Sequence, residues 1–277
     1  MPELPEVETI VRGLKKVLIY SKIIYIYKSK YNLRISYTKN FETELLDSKI
    51  INVYRLAKYI IIETDFGKSI IIHLGMSGRL LFQNSIYKKH QKHDHVVFHL
   101  SDNKRIIYND PRRFGLVQFI KNSDIFQNKL FKDLGIEPFS KDLNYDYFIS
   151  KIKNKNSSIK QFLMNNQNIV GIGNIYANEI LHLAKISPFK SVKYLNTHEI
   201  KILIESIKII LNNAIIAGGS SLKDYIAPNG MLGNFQSYFK VYNRENKDCF
   251  NCKKGKIIKT TFCQRSTYYC VYCQKVN

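Results

Sequence analysis

Residues 249–273 read CFNCKKGKIIKTTFCQRSTYYCVYC and determine the fold of the C-terminal end of the chain. Two Cys-x-x-Cys pairs, separated by 17 residues (253 to 269), are formed by Cys249, Cys252, Cys270 and Cys273. A segment this short cannot bury a core of its own, and paired cysteines at this spacing are typical of a structural zinc module closed by four thiolates. We therefore predict one structural Zn²⁺ on a basic β-hairpin within residues 241–277.

The remaining cysteine, Cys263, lies outside both pairs, and we interpret it as a non-ligand. No apolar run reaches the ~18 residues that a membrane span needs. The chain starts with acidic residues and prolines, which is unlike a signal peptide. We expect a cytoplasmic protein without a membrane partner, in which cysteines stay reduced and zinc is favoured over disulfides.

The charge of the chain indicates the class of its partner. There are 43 Lys and Arg residues against 22 Asp and Glu, a net charge of +21. Such an excess favours a polyanion such as nucleic acid. AT-rich coding DNA also explains abundant Lys and absent Trp, so part of the lysine excess is compositional and the scarcer arginines are more informative.

Helical patterns predominate from residue 151 to 240, after a connection at 131–150. We predict helices from Ser157 or Ser158 to about Asn166, from Asn174 to about Ala184, and from Thr197 to Gly218-Gly219. Gly171-Ile172-Gly173 predicts a tight turn before Asn174. The Gly and Pro content of 220–240 predicts a mobile loop.

Residues 1–130 have a different character. A first helix is predicted over Leu4–Leu18, because Pro5 suits its first turn and apolar residues recur on one face. Short β-prone runs with polar turns then predict a β-sandwich. The runs are Ile23–Tyr27, Ile50–Tyr54, Tyr59–Thr64, Ser69–Leu74, His95–Leu100, Arg105–Tyr108 and Leu116–Ile120.

The N-terminus itself offers a nucleophile. If Met1 is removed, Pro2 carries a secondary α-amine; α-amino groups titrate near pH ~8, so a useful fraction is neutral at pH 7. A neutral amine can attack a sugar C1′ and form a Schiff base, and Glu3 beside it can move protons. Met-Pro starts are also common in chains where they indicate only that the methionine is cleaved.

Several motifs occur together, in the order of one family. They are PELPEVET at 2–9, AKY at 57–59, HLGMSG at 73–78, NDPRRFG at 109–115, GIGNIYA at 171–177, and the four-cysteine tail with Gln264-Arg265. With them the chain resembles bacterial formamidopyrimidine-DNA glycosylases over essentially its whole length. The Pro-Glu-Leu-Pro-Glu opening is more similar to this branch than to the related endonuclease VIII branch, which usually has a glycine after the first Pro-Glu.

The resemblance implies an α+β fold: an N-terminal β-sandwich with flanking helices, then a helix-two-turn-helix domain with a β-hairpin zinc finger. It implies a monomeric, nucleoid-associated base-excision repair enzyme that removes oxidised purines, such as 8-oxoguanine and formamidopyrimidines, from double-stranded DNA. The same enzyme would cleave abasic sites by β,δ-elimination. Alternatives are the oxidised-pyrimidine specificity of the endonuclease VIII branch and a non-catalytic zinc protein that binds DNA, against which intact Pro2, Glu3 and Lys58 argue.

The resemblance also implies roles for individual residues. The candidate catalytic residues are Pro2, Glu3, Lys58 and Arg265. Lys58 is expected on a strand leading into the site; without the motif, a solvated surface lysine would be an equal alternative. Arg265 is expected at the turn of the zinc hairpin. Zinc would hold this residue against the DNA and would take no part in the reaction.

The other candidates would contact DNA. When the damaged base leaves the stack, it leaves a space between the neighbouring bases. The resemblance assigns the filling of this space to Met76, Arg112 and Phe114. Met76 and Phe114 alone would more often be core residues, but glycine-flanked turns favour their exposure. The resemblance assigns phosphate contacts to His73, His93 and Asn174. Many family members have a lysine at the position of Asn156, and we expect Lys155 beside it to make that phosphate contact in this chain.

Overall fold

The computed structural model describes residues 1–84, 89–153, 155–220 and 233–275. They form two compact units. The first comprises Met1–Lys132 with the described residues of Ala217–Asn234, and the second comprises the described residues of Asp133–Ile216 and Phe235–Asn277. Among the described residues, no helix is long and apolar enough to cross a membrane. Most of the loop predicted at 220–240 lies outside the described residues.

The first unit begins with helix α1, Leu4–Leu18, whose bounds match the prediction. Pro5 lies in the first turn, where its missing N–H costs nothing. The apolar stripe is buried against the sheets, and its members are Val7, Ile10, Val11, Leu14 and Leu18. Burial of this stripe fixes the direction in which the N-terminus projects.

Two four-stranded antiparallel sheets follow, which confirms the predicted β-sandwich. The strands are β1 (Ile23–Lys28), β2 (Ile50–Leu56), β3 (Tyr59–Thr64), β4 (Lys68–His73), β5 (Arg79–Gln83), β6 (Asp94–Leu100), β7 (Arg105–Asn109) and β8 (Leu116–Lys121), with the short helix α2 (Phe41–Glu44) after β1. The sheet orders are β1-β6-β7-β5 and β2-β3-β4-β8. Alternate residues of both sheets, such as Ile62 and Phe98, share one core.

The second unit is helical and ends in a hairpin. Its elements are α3 (Tyr145–Ile152), α4 (Ile159–Met164), α5 (Asn174–Leu183), α6 (Thr197–Ile216), β9 (Ile257–Phe262) and β10 (Arg265–Cys270). Helix α5 contacts both α6 and β10. Ser158 caps α4 in a capping box with Gln161, so the second of the two predicted caps is the one used.

Three of these helices and strands were not predicted: the four-residue helix α2, the strand β5 and the helix α3. Strand β5 follows Gly78 at the edge of its sheet, and only Leu80 of its residues is fully buried, so its apolar pattern is weak. Helix α3 has the sequence YDYFISKI, which is rich in aromatic and β-branched residues typical of strands. Its start is fixed by Asn144, whose side-chain oxygen accepts a hydrogen bond of 2.9 Å from the Tyr147 N–H.

Candidate functional site

The N-terminal pair lies at the start of α1. Pro2 is half-buried, while the Glu3 side chain is only 3% exposed and Glu3 is the extended N-cap residue of the helix. Its backbone N–H donates to Glu6 Oε2 at 2.8 Å, and a reciprocal bond to the Glu3 side chain completes a capping box. Met1 is exposed, so its removal would free the Pro2 nitrogen without disturbing the core.

Lys58 does not lie on a strand, which corrects the expectation from the sequence. It is the second residue of the two-residue turn between β2 and β3, and Ala57 before it has a φ of 53°. Arg55 braces this turn: its Nη1 donates to the Ala57 carbonyl at 2.9 Å, and its Nε donates to Glu8 of α1 at 3.1 Å. The turn is thus tied to the helix that carries Pro2 and Glu3, and Lys58 itself is 5% exposed.

His73 ends β4 in a basic environment. Its Nδ1 accepts a hydrogen bond of 3.0 Å from the Gly75 N–H. Burial, with the nearby charges of Arg34 and Lys58, lowers the pKa of His73 to about 3. The ring is therefore neutral at pH 7, with Nε2–H left as a donor, and the cations around it suit an anionic ligand.

The three proposed void-filling side chains are exposed, as the glycine-flanked turns predicted. Met76 is 42% and Phe114 47% exposed, and the Arg112 guanidinium lies 4.8 Å from the centre of the Phe114 ring. An exposed aromatic ring stacked on a guanidinium can wedge into a base stack and donate hydrogen bonds there. These side chains come from two turns, residues 74–78 and 110–115.

Asp110 holds these two turns together. Its fully buried carboxylate accepts hydrogen bonds from the donors Ser77 Oγ at 2.6 Å, Gly115 N at 2.9 Å, and Arg112 N and Tyr108 Oη at 3.2 Å. The turns touch so closely that a Cβ on Gly75 would lie 2.6 Å from backbone atoms of the other turn. One carboxylate and one glycine therefore set the position of the exposed tip.

His93 directly precedes β6 and has a φ of 74°. Its carbonyl accepts a hydrogen bond of 3.1 Å from the Asp110 N–H. It lines a cavity of about 370 Å³ in which Arg113 lies 5.4 Å from the Tyr31 ring centre. His93 is thus joined to the loop that presents Arg112 and Phe114.

The second unit carries the other candidates. Asn174 is the first residue of α5, after the extended N-cap Gly173, and its Nδ2 donates to the Ser266 carbonyl at 2.9 Å. The buried Lys160 ammonium donates to the same carbonyl at 3.0 Å and to Thr267 Oγ1 at 2.7 Å. The Asn174 bond anchors the β9–β10 hairpin on α5, whose N-terminus is a predicted anion site, and the Lys160 bonds tie the same hairpin to α4.

Arg265 is the first residue of β10, directly after the turn instead of within it. The turn residues are Cys263 and Gln264, both left-handed with φ of 48° and 59°, which fits a tight two-residue hairpin turn. Arg265 is exposed there. Lys155, by contrast, is half-buried, with its ammonium donating to Asn168 Oδ1 at 2.8 Å.

The four paired cysteines form a metal-ligand cluster. All four Sγ atoms lie within 4.8 Å of one another, with Cys249–Cys273 at 3.7 Å and Cys252–Cys270 at 3.6 Å. Tetrahedral Zn²⁺ with ~2.3 Å bonds separates its sulfur ligands by about 3.8 Å, so the donor set fits this ion. Cys263 is not part of the cluster, as predicted.

Electrostatics at the cluster favour a bound cation. Backbone hydrogen bonds from Lys254 and Gly255 lower the pKa of the Cys252 thiol to about 6. Burial raises the pKa of the Cys270 and Cys273 thiols by removing water from the thiolate, and the neighbouring cysteines raise it further. A divalent cation supplies a compensating charge and would hold all four as thiolates.

Buried polar residues of α5 connect this cluster to the helical domain. His182 Nε2 lies 3.4 Å from Cys249 Sγ. The Glu179 carboxylate accepts hydrogen bonds from the backbone N–H groups of Lys240, Val241 and Tyr242 at 2.8–3.0 Å. Sequence reasoning missed Glu179 and Lys160 because their partners are distant in sequence, and the signal available for both was a charged residue inside an otherwise apolar helical face. It missed Asp110 because the contact that joins the two turns, with Ser77, is 33 residues away.

Comparison with known proteins finds the same family over both units. Residues 1–117 match the model of the formamidopyrimidine-DNA glycosylase N-terminal domain, and residues 134–225 match that of the formamidopyrimidine-DNA glycosylase H2TH domain. The formamidopyrimidine-DNA glycosylase of Rickettsia africae is 46% identical over 274 residues, covering 99% of each chain. That of Rickettsia bellii is 45% identical over 275 residues, covering 99% of this chain and all of the relative.

Solved structures show the same similarity. The complex of the Lactococcus lactis enzyme with DNA containing an abasic site superposes with a TM-score of 0.90 at 33% identity. The complex of a Lactococcus lactis mutant with Fapy-dG-containing DNA has a TM-score of 0.91 at 33% identity. Each comparison covers 99% of this chain and 100% of the other.

Proposed function

Because the chain belongs to the formamidopyrimidine-DNA glycosylase family of base-excision repair enzymes, we propose that it excises oxidised purines from duplex DNA and then cleaves the strand. The substrates would be 8-oxoguanine and formamidopyrimidines, and the strand would be cut by β,δ-elimination. The observation that carries the proposal is the N-terminal pair: Pro2 lies at the start of a buried helix, beside a Glu3 carboxyl held in a capping box.

Pro2 would be the nucleophile. After removal of Met1, its lone pair attacks C1′, the bond to the base breaks, and the base leaves with the bonding electrons and takes up a proton. The Pro2 nitrogen then gives up its proton, and its lone pair forms an iminium with C1′ while the deoxyribose ring opens and O4′ is protonated. Glu3 is placed to donate this proton and to return protons in later steps.

Strand cleavage would follow from the same iminium. Loss of a proton from C2′ expels the 3′ phosphate, and loss of a second proton along the conjugated chain expels the 5′ phosphate. Hydrolysis then releases the sugar fragment and regenerates the Pro2 amine. Lys58, in a turn braced through Arg55 to α1, would assist excision and neutralise a phosphate.

DNA binding would use both units. In the first unit, His73 and His93 would contact phosphates, and the tip formed by Met76, Arg112 and Phe114 would fill the space of the extruded base. In the second unit, phosphates would be contacted by Asn174, Arg265 and Lys155. The net charge of +21 supports a polyanionic substrate.

Zinc would be the ion in the four-cysteine cluster. Its ligands would be Cys249, Cys252, Cys270 and Cys273, and it would shape the hairpin that presents Arg265 without taking part in bond making. The proposed domains are 1–130 for the catalytic sandwich, 131–150 for the linker, 151–240 for the helix-two-turn-helix domain and 241–277 for the zinc finger.

A panel of duplexes tests this function. Each carries one lesion: 8-oxoguanine, a formamidopyrimidine, an oxidised pyrimidine or a preformed abasic site. The proposal expects faster excision of the two purine lesions and cleavage of the abasic strand to ends bearing phosphate on both sides of the gap. Preference for the oxidised pyrimidine would favour endonuclease VIII specificity, and binding without cleavage of any duplex would favour a non-catalytic protein.

A further inference from the structure

The part of the second unit that contains the two Cys-x-x-Cys turns carries a concentrated positive charge. Residues 240–275 contain nine Lys and Arg residues against two Asp and Glu, so a third of the net charge of +21 lies in 36 residues. Compositional bias would spread lysines evenly along the chain and does not explain this concentration. The charge therefore favours an anionic partner for this region.

The carboxylates of the region leave most of this charge unpaired. Glu245 forms a salt bridge with Lys259, in which Nζ and a carboxylate oxygen are 3.6 Å apart. Lys247, Lys253 and Lys254 are exposed, and none of them forms a salt bridge within the described part of the chain. Exposed lysines alone do not indicate a partner, because water solvates them well, so a second feature is needed.

That feature is a pair of exposed aromatic rings. Phe250 lies in the first Cys-x-x-Cys turn and Tyr272 in the second, and the two residues are 56% and 57% exposed. The Arg244 guanidinium lies 3.6 Å from the centre of the Phe250 ring, and the Tyr272 ring packs on Gly255, where a Cβ would collide with it. Aromatic surface that is exposed and already ordered loses little entropy when it binds a partner. We define the knuckle surface as the two rings and the two lysines that follow the first turn: Phe250, Lys253, Lys254 and Tyr272.

The knuckle surface lies at the opposite end of α5 from the proposed DNA contacts. The hairpin runs along this helix: Ser266, beside Arg265, is bonded to Asn174 at the first residue of α5, whereas Cys249 Sγ lies 3.4 Å from His182 in its last turn. The six residues of β10, which separate Arg265 from the cysteine cluster, span about 17 Å in an extended strand. Side chains of the knuckle surface therefore cannot contact the phosphates that Arg265 and Asn174 are proposed to bind.

The groups of the knuckle surface suit carboxylates and apolar side chains. Arginine forks recognise phosphates best, but both terminal nitrogens of Arg244 donate to backbone carbonyls, of Lys240 at 2.7 Å and of Asp248 at 3.2 Å. The lysines are point charges that can pair with carboxylates, and the rings offer apolar anchoring area. We propose that the knuckle surface binds an acidic segment of another protein, in which apolar side chains alternate with Asp or Glu, while the same molecule is bound to DNA.

A peptide with this pattern tests the proposal. The probe is a short fluorescein-labelled peptide in which Asp alternates with Phe and Leu, added to the zinc-loaded full-length protein. A second peptide has Ser in place of Phe and Leu and keeps the same charge. Fluorescence anisotropy at low salt, where screening is weak, gives both dissociation constants. We expect the peptide with apolar residues to bind at least about tenfold more tightly, because it fills the aromatic anchor sites.

Charge reversal tests the lysines. Lys253→Glu/Lys254→Glu should raise the dissociation constant of the apolar acidic peptide at least about tenfold, because two attractive contacts become repulsive. Lys15→Glu/Lys16→Glu, on adjacent exposed lysines in the last turn of α1, changes the net charge by the same amount and should stay within about twofold of the wild type. The two double variants should bind an abasic-site duplex with equal affinity.

Removal of a ring tests the aromatic part of the surface. Tyr272→Ser should weaken binding of the apolar acidic peptide at least about threefold and leave binding of the Ser-containing peptide unchanged. Tyr194→Ser is the control, because Tyr194 is 65% exposed and lies beside the Lys193 ammonium, 4.8 Å from its ring centre, but outside the knuckle surface. The zinc content of each variant is measured, and Phe250→Ser replaces Tyr272→Ser if that variant loses the metal.

Other results would overturn the inference. If the abasic-site duplex displaces the peptide from the wild type, or Lys253→Glu/Lys254→Glu loses more duplex affinity than Lys15→Glu/Lys16→Glu, these lysines belong to the DNA site. Equal binding of the two peptides would mean that the surface responds to charge alone. If a single-stranded oligonucleotide competes with the peptide and binds more tightly than it does, the partner is a nucleic acid and not a protein.

Discussion

The side-chain amide of Asn174 donates a hydrogen bond of 2.9 Å to the carbonyl of Ser266, which joins the first residue of α5 to the second residue of β10. Asn178, one turn later, accepts a hydrogen bond of 2.9 Å from the Tyr268 N–H. The hairpin therefore lies in register along one face of α5. Arg265, directly before Ser266, is carried to a defined place relative to the α5 N-terminus.

Removal of the metal should disconnect this arrangement. Cys249 and Cys270 belong to the small core of the hairpin with Val241, Ile257 and Tyr268, so losing the ion or substituting Cys249→Ser leaves too little buried surface to hold it. We expect loss of tight DNA binding while the first unit keeps its own thermal transition. Anisotropy with an abasic-site duplex and a melting curve measure both, and tight binding by metal-free protein would contradict the structural role of zinc.

Arg265→Ala should weaken DNA binding and its dependence on salt. If Arg265 neutralises one phosphate, the slope of log K against log salt should become shallower by about 0.9. Arg12→Ala is the control, because Arg12 is exposed on α1 and paired with Glu8. An equal slope for Arg265→Ala and the wild type would mean that Arg265 does not contact DNA.

Met76→Ala and Phe114→Ala should reduce lesion binding at little cost in stability. Both side chains are exposed, so we expect changes in the free energy of unfolding within about 0.5 kcal/mol. Phe98→Ala, in the core, should cost about 3–5 kcal/mol. Urea unfolding measures the stability of the three variants. A fluorescent base analogue placed opposite the lesion in the duplex reports whether the bases unstack when the protein binds. A large loss of stability for Met76→Ala or Phe114→Ala would indicate that these side chains belong to the core.

His73 should remain neutral down to acidic pH. Its pKa is lowered to about 3 by burial and by Arg34 and Lys58, whereas an unfolded histidine titrates near ~6.5. Between these values the unfolded state binds the extra proton, so stability falls on acidification, by up to about 1.4 kcal/mol per pH unit from this group. NMR titration of His73 checks this, with His73→Gln to identify its signal, and a midpoint near 6.5 would contradict the buried, basic environment.

Much of the fold could be predicted because its signals are local. The bounds of α1 follow from Pro5 and a clear apolar stripe, and the start of α5 follows from the turn before Asn174. The edge strand β5 and the helix α3 have weak or contrary local patterns, and only tertiary packing forms them. The prediction put Lys58 on a strand because the sequence shows no sign of a turn there. Ala57 makes the turn in a left-handed conformation, which alanine rarely adopts.

The candidate site was predictable in its residue types but not in its supporting contacts. The motifs single out Pro2 and Glu3, yet Glu6 gives only the local signal of an acidic residue at a helix start. Its partner Ser220 is 214 residues away, a pairing that no local pattern encodes. The same is true of Asp110, whose buried carboxylate joins two turns that are adjacent only in the folded sandwich.

The central claim is that the Pro2 nitrogen becomes covalently bound to C1′ of the damaged nucleotide. Borohydride reduces an iminium to a stable amine, so incubation of the protein with an 8-oxoguanine·cytosine duplex and borohydride should trap a protein–DNA adduct. Peptide mapping should place the adduct at Pro2, in a chain that has lost Met1. Trapping at a lysine, or strand cleavage by a Pro2→Gly variant at the wild-type rate, would contradict the account.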